Sequence, residues 1–147
     1  MLWRWQGEYA LVPMLTAHYQ QILLLHIGSV TFSGSLFATR GVLRLCNLAV
    51  ANHRAVRVLS YIVDTTLLVA AILLTLILHQ YPFVNPWLTT KVLLLVLYIG
   101  LGSIALRRAR TTAGRAMALL AALLTFIFIV GVAIAHDPAG WLLLMRR

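Results

Sequence analysis

The sequence predicts an all-α integral membrane protein built as a bundle of four transmembrane helices. Hydrophobic residues make up 62% of the 147 residues, charged residues only 10%, and the mean hydropathy is +0.94. A soluble domain of this size cannot bury so much apolar surface, because small domains still expose a large share of their surface. Several apolar stretches are also long enough to cross a hydrocarbon core of ~30 Å, which takes ~20 helical residues.

The predicted spans divide the chain into three parts. They cover about 22–42, 59–79, 88–106 and 116–135, within a membrane domain of residues 22–136. Residues 1–21 contain no signal-peptide pattern at their start, so we expect a retained interfacial segment there. Residues 137–147 are expected to form a second interfacial segment at the other end.

The distribution of cations predicts the orientation of the chain. The second connection offers only Lys91, whereas the first and third connections are rich in arginine: Arg40, Arg44, Arg54, Arg57, Arg107, Arg108, Arg110 and Arg115. By the positive-inside rule these two connections are cytoplasmic. In a bacterial inner membrane, both termini would then be periplasmic.

The second connection, QYPFVNPWLTTK (Gln80 to Lys91), has the composition of a tight hairpin outside the membrane. Pro82 and Pro86 favour the end of one helix and the start of the next, because proline suits only the first turn of a helix. Tyr81 and Trp87 are expected at headgroup depth, where an amphipathic ring is half wet.

Lys91 lies about one turn inside the third span, where a charge is costly unless it snorkels or finds a partner. The alternative to snorkelling is a position inside the bundle near His26. Helical spacing supports polar faces that turn inward. These faces are His26, Ser29, Ser33 and Arg40 on the first span and Lys91, Tyr98 and Gly102 on the third.

Asp64 is the only acidic residue within the predicted spans, and Arg40 lies at a similar depth on the preceding span. Since a short connection joins these two spans, the sequence predicts an Arg40–Asp64 ion pair. A structural pair is favoured over a proton relay, because one acid beside an arginine forms a fixed contact and not a pathway.

Histidines suggest a weaker alternative, a metal or haem site near the outer face formed by His26, His79 and His136. No cysteine, methionine or carboxylate accompanies them at ligand spacing, so no metal is the favoured expectation. Phosphate loops, GxSxG, CxxC and paired acids are absent from the sequence. The arginines beside spans predict contact with the lipid bilayer and not with nucleic acid.

Four segments together resemble the SirB family of small four-span bacterial membrane proteins. They are HIGSVTFSGSLFATRG (His26 to Gly41), VDTTLL (Val63 to Leu68), QYPFVNPWLTTKVLLLVLYIGLGSIALRRART (Gln80 to Thr111) and IVGVAIAHDP (Ile129 to Pro138). The similarity runs from about Met14 to Pro138, and the third segment is long and unusual.

The resemblance marks particular positions of this chain as typical of the family. They are His26, Arg40, Gly41, Asp64, Thr65, Tyr81, Pro82, Trp87, Thr89 and Lys91. The chain departs from the family at Tyr61, where members often carry histidine. The family is named for raising invasion gene expression in enteric bacteria, which implies no catalytic activity.

Two classes of function follow. The favoured one is a non-enzymatic accessory or regulatory protein that packs against a larger membrane complex or sensor. The alternative is a haem-, metal- or quinone-binding redox protein, similar in span number and histidines to the HemJ-type protoporphyrinogen oxidases. The candidate functional positions are His26, Arg40, Asp64, Tyr81, Trp87 and Lys91. Ala118, Ala122 and Gly131 form a possible close-contact face, either in a homo-oligomer or within the chain.

Overall fold

The computed structural model describes residues 13–145, except the side chains of Leu143 and Leu144, and confirms the predicted fold class. Most of the predicted N-terminal segment, and Arg146 and Arg147, lie outside the described residues. The elements are α1 (Tyr19–Leu45), a 3-10 turn (Ala49–Asn52), α2 (Arg54–Leu78), α3 (Pro86–Ser103), a π-helical turn (Ile104–Arg108), α4 (Thr112–Ala135) and the short α5 (Trp141–Leu144). Helices α1, α2 and α4, and α3 with its π-helical turn, are long and apolar enough to cross a membrane.

The long helices begin and end at local sequence signals. Pro86 occupies the first turn of α3, where its missing N–H costs nothing. The hydroxyl of Thr111 caps α4 by accepting a hydrogen bond of 3.1 Å from the Gly114 N–H. His79 and His136 follow α2 and α4 in the left-handed conformation, with φ of 52° and 50°, and so end each helix.

The helices form two hairpins, α1 with α2 and α3 with α4. The hairpins join where α1 packs on α4 and on the π-helical turn. A buried cluster of Ala105, Ala118 and Leu119 lies at this joint, with Phe37 and Leu123 packed against it. We call the end that carries the first and third connections the arginine-rich end.

Small residues let the hairpins approach closely. A Cβ atom built on Gly34 of α1 would lie 2.6 Å from the ring of Phe126 on α4. Ala118 and Ala122 are buried inside the chain, and Gly131 lies under the indole of Trp141. The predicted close-contact face of α4 therefore packs within the chain.

The last turn folds back onto α4. The indole N–H of Trp141 donates to the Ile127 carbonyl at 2.8 Å, and the Asp137 carboxylate accepts from the Ala139 N–H at 2.7 Å. Trp141 therefore packs against the C-terminal half of α4.

One side of the bundle is open. Helix α2 packs along α1 and on the 3-10 turn, and its contacts with α3 and α4 are sparse. Tyr61, Thr65, Leu68 and Ile72 recur at helical spacing along α2, and all four are exposed. We call these four residues the exposed stripe.

Candidate functional site

Arg40 joins α1 to the start of α2. Its guanidinium is buried, with 8% of the residue exposed, and its Nε donates to the Ala51 carbonyl at 3.3 Å. Its Nη1 donates to the Ser60 hydroxyl at 2.8 Å, and that hydroxyl donates to the Val56 carbonyl at 3.0 Å. Arg40 thus ties together α1, the 3-10 turn and α2.

The predicted ion pair between Arg40 and Asp64 is wrong. Among the described residues, Arg40 binds Ser60 and Ala51, while the Asp64 carboxyl accepts from the Ser33 hydroxyl at 2.6 Å. Asp64 lies one turn further along α2 than Ser60, a rise of about 6 Å. It therefore faces α1 at a level farther from the arginine-rich end. The Arg40 side chain extends in the opposite direction, toward the connection.

Asp64 carries the most unusual environment in the bundle. It is the eleventh residue of the 25-residue α2, far from either end, and its side chain is nonetheless exposed. Its one hydrogen bond within the described chain comes from Ser33. Tyr98 of α3 lies within electrostatic reach across the open side. An exposed carboxyl at this depth is costly in hydrocarbon, which makes the position a candidate functional site.

Tyr98 belongs to an aromatic cluster formed by three helices. The Tyr98 ring packs on Phe37 of α1 at a centroid distance of 5.2 Å and on Phe126 of α4 at 5.7 Å. Aromatic pairs at these separations are favourable beyond their burial. The cluster therefore holds α3 against α1 and α4.

A contact missed from the sequence closes the arginine-rich end of the open side. The Arg107 guanidinium donates to the Tyr61 hydroxyl. Arg107 lies in the π-helical turn, whose wider winding is marked by the bond from the Ala109 N–H to the Ile104 carbonyl at 2.9 Å. Such turns re-aim side chains and often occur at functional sites. From the sequence, Arg107 was used only to predict the orientation of the chain in the membrane.

Lys91 and His26 lie near the opposite end of the bundle. Lys91 is the sixth residue of α3 and is half-buried, and its ammonium lies within electrostatic reach of the His26 ring. The Nδ1 atom of His26 is buried without a hydrogen-bond partner among the described residues. The ring also lies within hydrogen-bonding reach of the backbone of Leu67 on α2.

Tyr81 lies in the connecting loop and Trp87 in the first turn of α3, so neither belongs to the polar interior. The Thr89 hydroxyl accepts from the Phe83 N–H at 2.8 Å, and Asn85 accepts from the Tyr81 N–H at 3.3 Å, so the loop has a defined internal structure. Tyr81 is exposed and Trp87 half-buried. The six candidate positions therefore do not form a single cluster.

The three histidines of the metal alternative do not meet. The described residues contain no cluster of three metal-ligating side chains. His136 packs on Trp87 at a centroid distance of 4.8 Å, and His79 is exposed at the end of α2. His26 lies on α1, where its ring approaches Lys91 and Leu67.

Comparisons with known proteins identify the family of this chain. The family model described as "Invasion gene expression up-regulator, SirB" matches residues 19–138. The chain is 37% identical over 121 residues to Protein SirB2 of Salmonella typhimurium, covering 80% of this chain and 94% of the relative. It is 33% identical over 124 residues to Protein YchQ of Escherichia coli K12, covering 82% and 95%.

No solved structure matches the chain significantly. The family model covers all four long helices and the loop between α2 and α3. This chain therefore belongs to the SirB family of small multi-pass membrane proteins.

Proposed function

We propose that this chain is an accessory membrane protein that packs the exposed stripe of α2 against a helix of a larger membrane complex or sensor. The observation that carries the proposal is the exposed carboxyl of Asp64 at the edge of that stripe. A partner helix can supply a hydrogen-bond donor or a cation to this carboxyl, whereas lipid chains cannot.

The limited packing of α2 supports the same proposal. Tyr61, Leu68 and Ile72 are 55%, 56% and 52% exposed, so half of each apolar surface has no cover within the chain. The bond from Arg107 to Tyr61 holds one end of the open side while leaving the stripe accessible. The family description, an up-regulator of invasion gene expression, suggests that such a complex acts in regulation.

Replacement of Asp64 by asparagine tests the proposal. Asparagine keeps the shape of the side chain but removes its charge and weakens its acceptor. Loss of a hydrogen bond to a charged group costs ~1.5–3 kcal/mol, which weakens association about tenfold or more. In native electrophoresis of mildly solubilised membranes, Asp64→Asn should move most of the chain from a larger complex to the free form.

Asp137→Asn is the matched control for this experiment. It makes the same chemical change at the end of α4, and its side-chain oxygen can still accept from the Ala139 N–H. This variant should leave the complex intact. If the wild-type chain migrates alone, or if Asp64→Asn leaves the complex unchanged, the proposal fails.

We further propose that the chain resides in a bacterial inner membrane with the arginine-rich end in the cytoplasm and both termini in the periplasm. Arg44, Arg54 and Arg110 cluster at that end of the described chain, as the positive-inside rule requires of cytoplasmic connections.

The native cysteine gives a direct test of this orientation. Cys46 is the only cysteine in the sequence and is exposed at the arginine-rich end. A membrane-impermeant maleimide should label it only after intact cells are permeabilised. In a Cys46→Ala background, Phe83→Cys should be labelled without permeabilisation, because Phe83 is 82% exposed in the opposite loop. The reverse pattern would contradict the orientation.

A further inference from the structure

The carboxyl of Asp64 lies too deep in the membrane for its short side chain to reach water. It lies about 15 Å along α2 from Arg54 and about 21 Å from Leu78. Because α2 is about 37 Å long and the hydrocarbon core ~30 Å thick, a centred α2 holds Asp64 about 10 Å inside the hydrocarbon. Only long side chains such as those of lysine and arginine snorkel to the headgroups. The Asp64 carboxyl therefore needs a partner at its own depth.

The hydrogen bond from Ser33 indicates that this carboxyl is ionised. The Ser33 hydroxyl donates to Oδ1 of Asp64 at 2.6 Å. Bonds from a hydroxyl to an anionic oxygen are ~2.5–2.7 Å long, whereas bonds to a neutral oxygen are most often ~2.7–2.8 Å long. The second oxygen, Oδ2, accepts no hydrogen bond within residues 13–145. Because a hydroxyl carries no charge, the negative charge is left uncompensated.

None of the cations in the described part of the chain pairs with this carboxyl. Arg40 is bound to the start of α2 and to the 3-10 turn, and Arg107 donates to the Tyr61 hydroxyl. Lys91 lies in the second turn of α3, near the opposite end of the bundle. The other described arginines lie in or beside the first and third connections. Since an ionised group in hydrocarbon is costly without a counter-charge, the cation comes from outside the described chain.

The depth of the carboxyl selects a transmembrane helix as the source of this cation. Cationic groups of lipids lie in the headgroup layer, about 10 Å away. Polypeptide exposed to hydrocarbon is helical, because its backbone polar groups must be satisfied internally. The four spanning helices of the described chain offer no free cation at this depth, so the helix is that of a partner. Thr65 and Leu68 are exposed beside Asp64 and form the surface on which it packs.

We propose that the partner helix carries a lysine or an arginine within the membrane, about 10 Å from the headgroups at the arginine-rich end, and that this residue forms an ion pair with Asp64. The proposal rests on the accessory function proposed above and adds the chemistry of the partner. Tyr61 lies three residues nearer the arginine-rich end and is occupied by the Arg107 guanidinium, which repels a second cation. The two levels together favour a single register of the partner helix.

Identification of the captured partner segment tests the proposal. A photoreactive residue at position 68 lies one turn from Asp64 on the same face of α2 and captures the partner in intact membranes. Mass spectrometry of the digested adduct then locates the captured segment. We expect a transmembrane segment with a lysine or arginine within about two turns of the captured residue. A segment without a basic residue overturns the ion pair and leaves the accessory function standing, whereas the absence of any protein adduct overturns both.

Charge exchange measures the pairing in the same membranes. Exchange of the partner's basic residue for methionine, and separately Asp64→Lys, should each lower the adduct yield about tenfold or more, because each strands a charge in hydrocarbon. Asp64→Lys combined with an aspartate at the partner's basic position should restore the yield to within about threefold of wild type, which also shows that the variant folds. The control Asp137→Asn should change the yield less than about twofold. Full yield with the partner's methionine variant, or no recovery on charge exchange, would overturn the proposal.

Discussion

Replacing Gly34 by alanine should destabilise the joint between the two hairpins by about 1–3 kcal/mol, the usual cost of overpacking a close contact. The added Cβ would lie 2.6 Å from Cζ of Phe126 and 2.9 Å from Cε1. The ring has little freedom to move away, because Tyr98 packs on it at a centroid distance of 5.7 Å. Thermal unfolding in detergent measures the effect.

Gly28→Ala provides the control on the same helix. No atom lies within 4 Å of a Cβ at Gly28, and alanine is the better helix former. Its unfolding temperature should equal or slightly exceed that of wild type. Equal losses for the two variants would show that α1 and α4 do not pack through Gly34.

Arg40 should couple energetically to Ser60 and not to Asp64. Arg40→Met leaves the Ser60 hydroxyl and the Ala51 carbonyl without their donor, and each such loss costs about 1–3 kcal/mol. In a double-mutant cycle, Arg40→Met and Ser60→Ala should be non-additive by more than about 0.5 kcal/mol. Arg40→Met and Asp64→Asn should add within that margin.

The comparison of the two cycles decides between the structure and the sequence-based expectation. Coupling of Arg40 to Asp64 together with additivity for Ser60 would restore the ion pair and remove the basis for treating Asp64 as a group that needs an external partner. Chemical unfolding in mixed micelles gives the four free energies for each cycle.

The architecture was predictable because it depends on hydropathy and on local residues that begin or end helices. Apolar runs of spanning length predicted the helices, and Pro86 and the residues around it predicted where α3 begins. Each long helix begins a few residues before its predicted span, for example at Tyr19 against 22 and at Arg54 against 59, since helices continue past the hydrocarbon core.

The site was less predictable because it depends on register between helices. The sequence placed Arg40 and Asp64 at similar depth, and an offset of one turn was enough to give them different partners. The π-helical turn has no signal in the spacing of residues, so the bond from Arg107 to Tyr61 was not anticipated. Tyr61 was noted only as a departure from the family, although it shares a helix face with Thr65 and Leu68.

The positions of Lys91 and His26 were predictable in part. Sequence spacing predicted an inward face for each residue but left snorkelling of Lys91 open. The structure places the two groups within electrostatic reach and leaves the His26 Nδ1 atom without a partner in the described chain.

Site-specific photo-crosslinking in intact membranes tests the central claim, that α2 packs against a partner, most directly. A photoreactive residue at position 68 would lie on the exposed stripe, and the matched control at position 120 would lie on α4, where Leu120 is 60% exposed and Leu68 is 56% exposed. We predict a discrete protein adduct from position 68 that is lost in the Asp64→Asn background, and only lipid adducts from position 120. Lipid adducts alone from both positions, or a protein adduct indifferent to Asp64, would contradict the account.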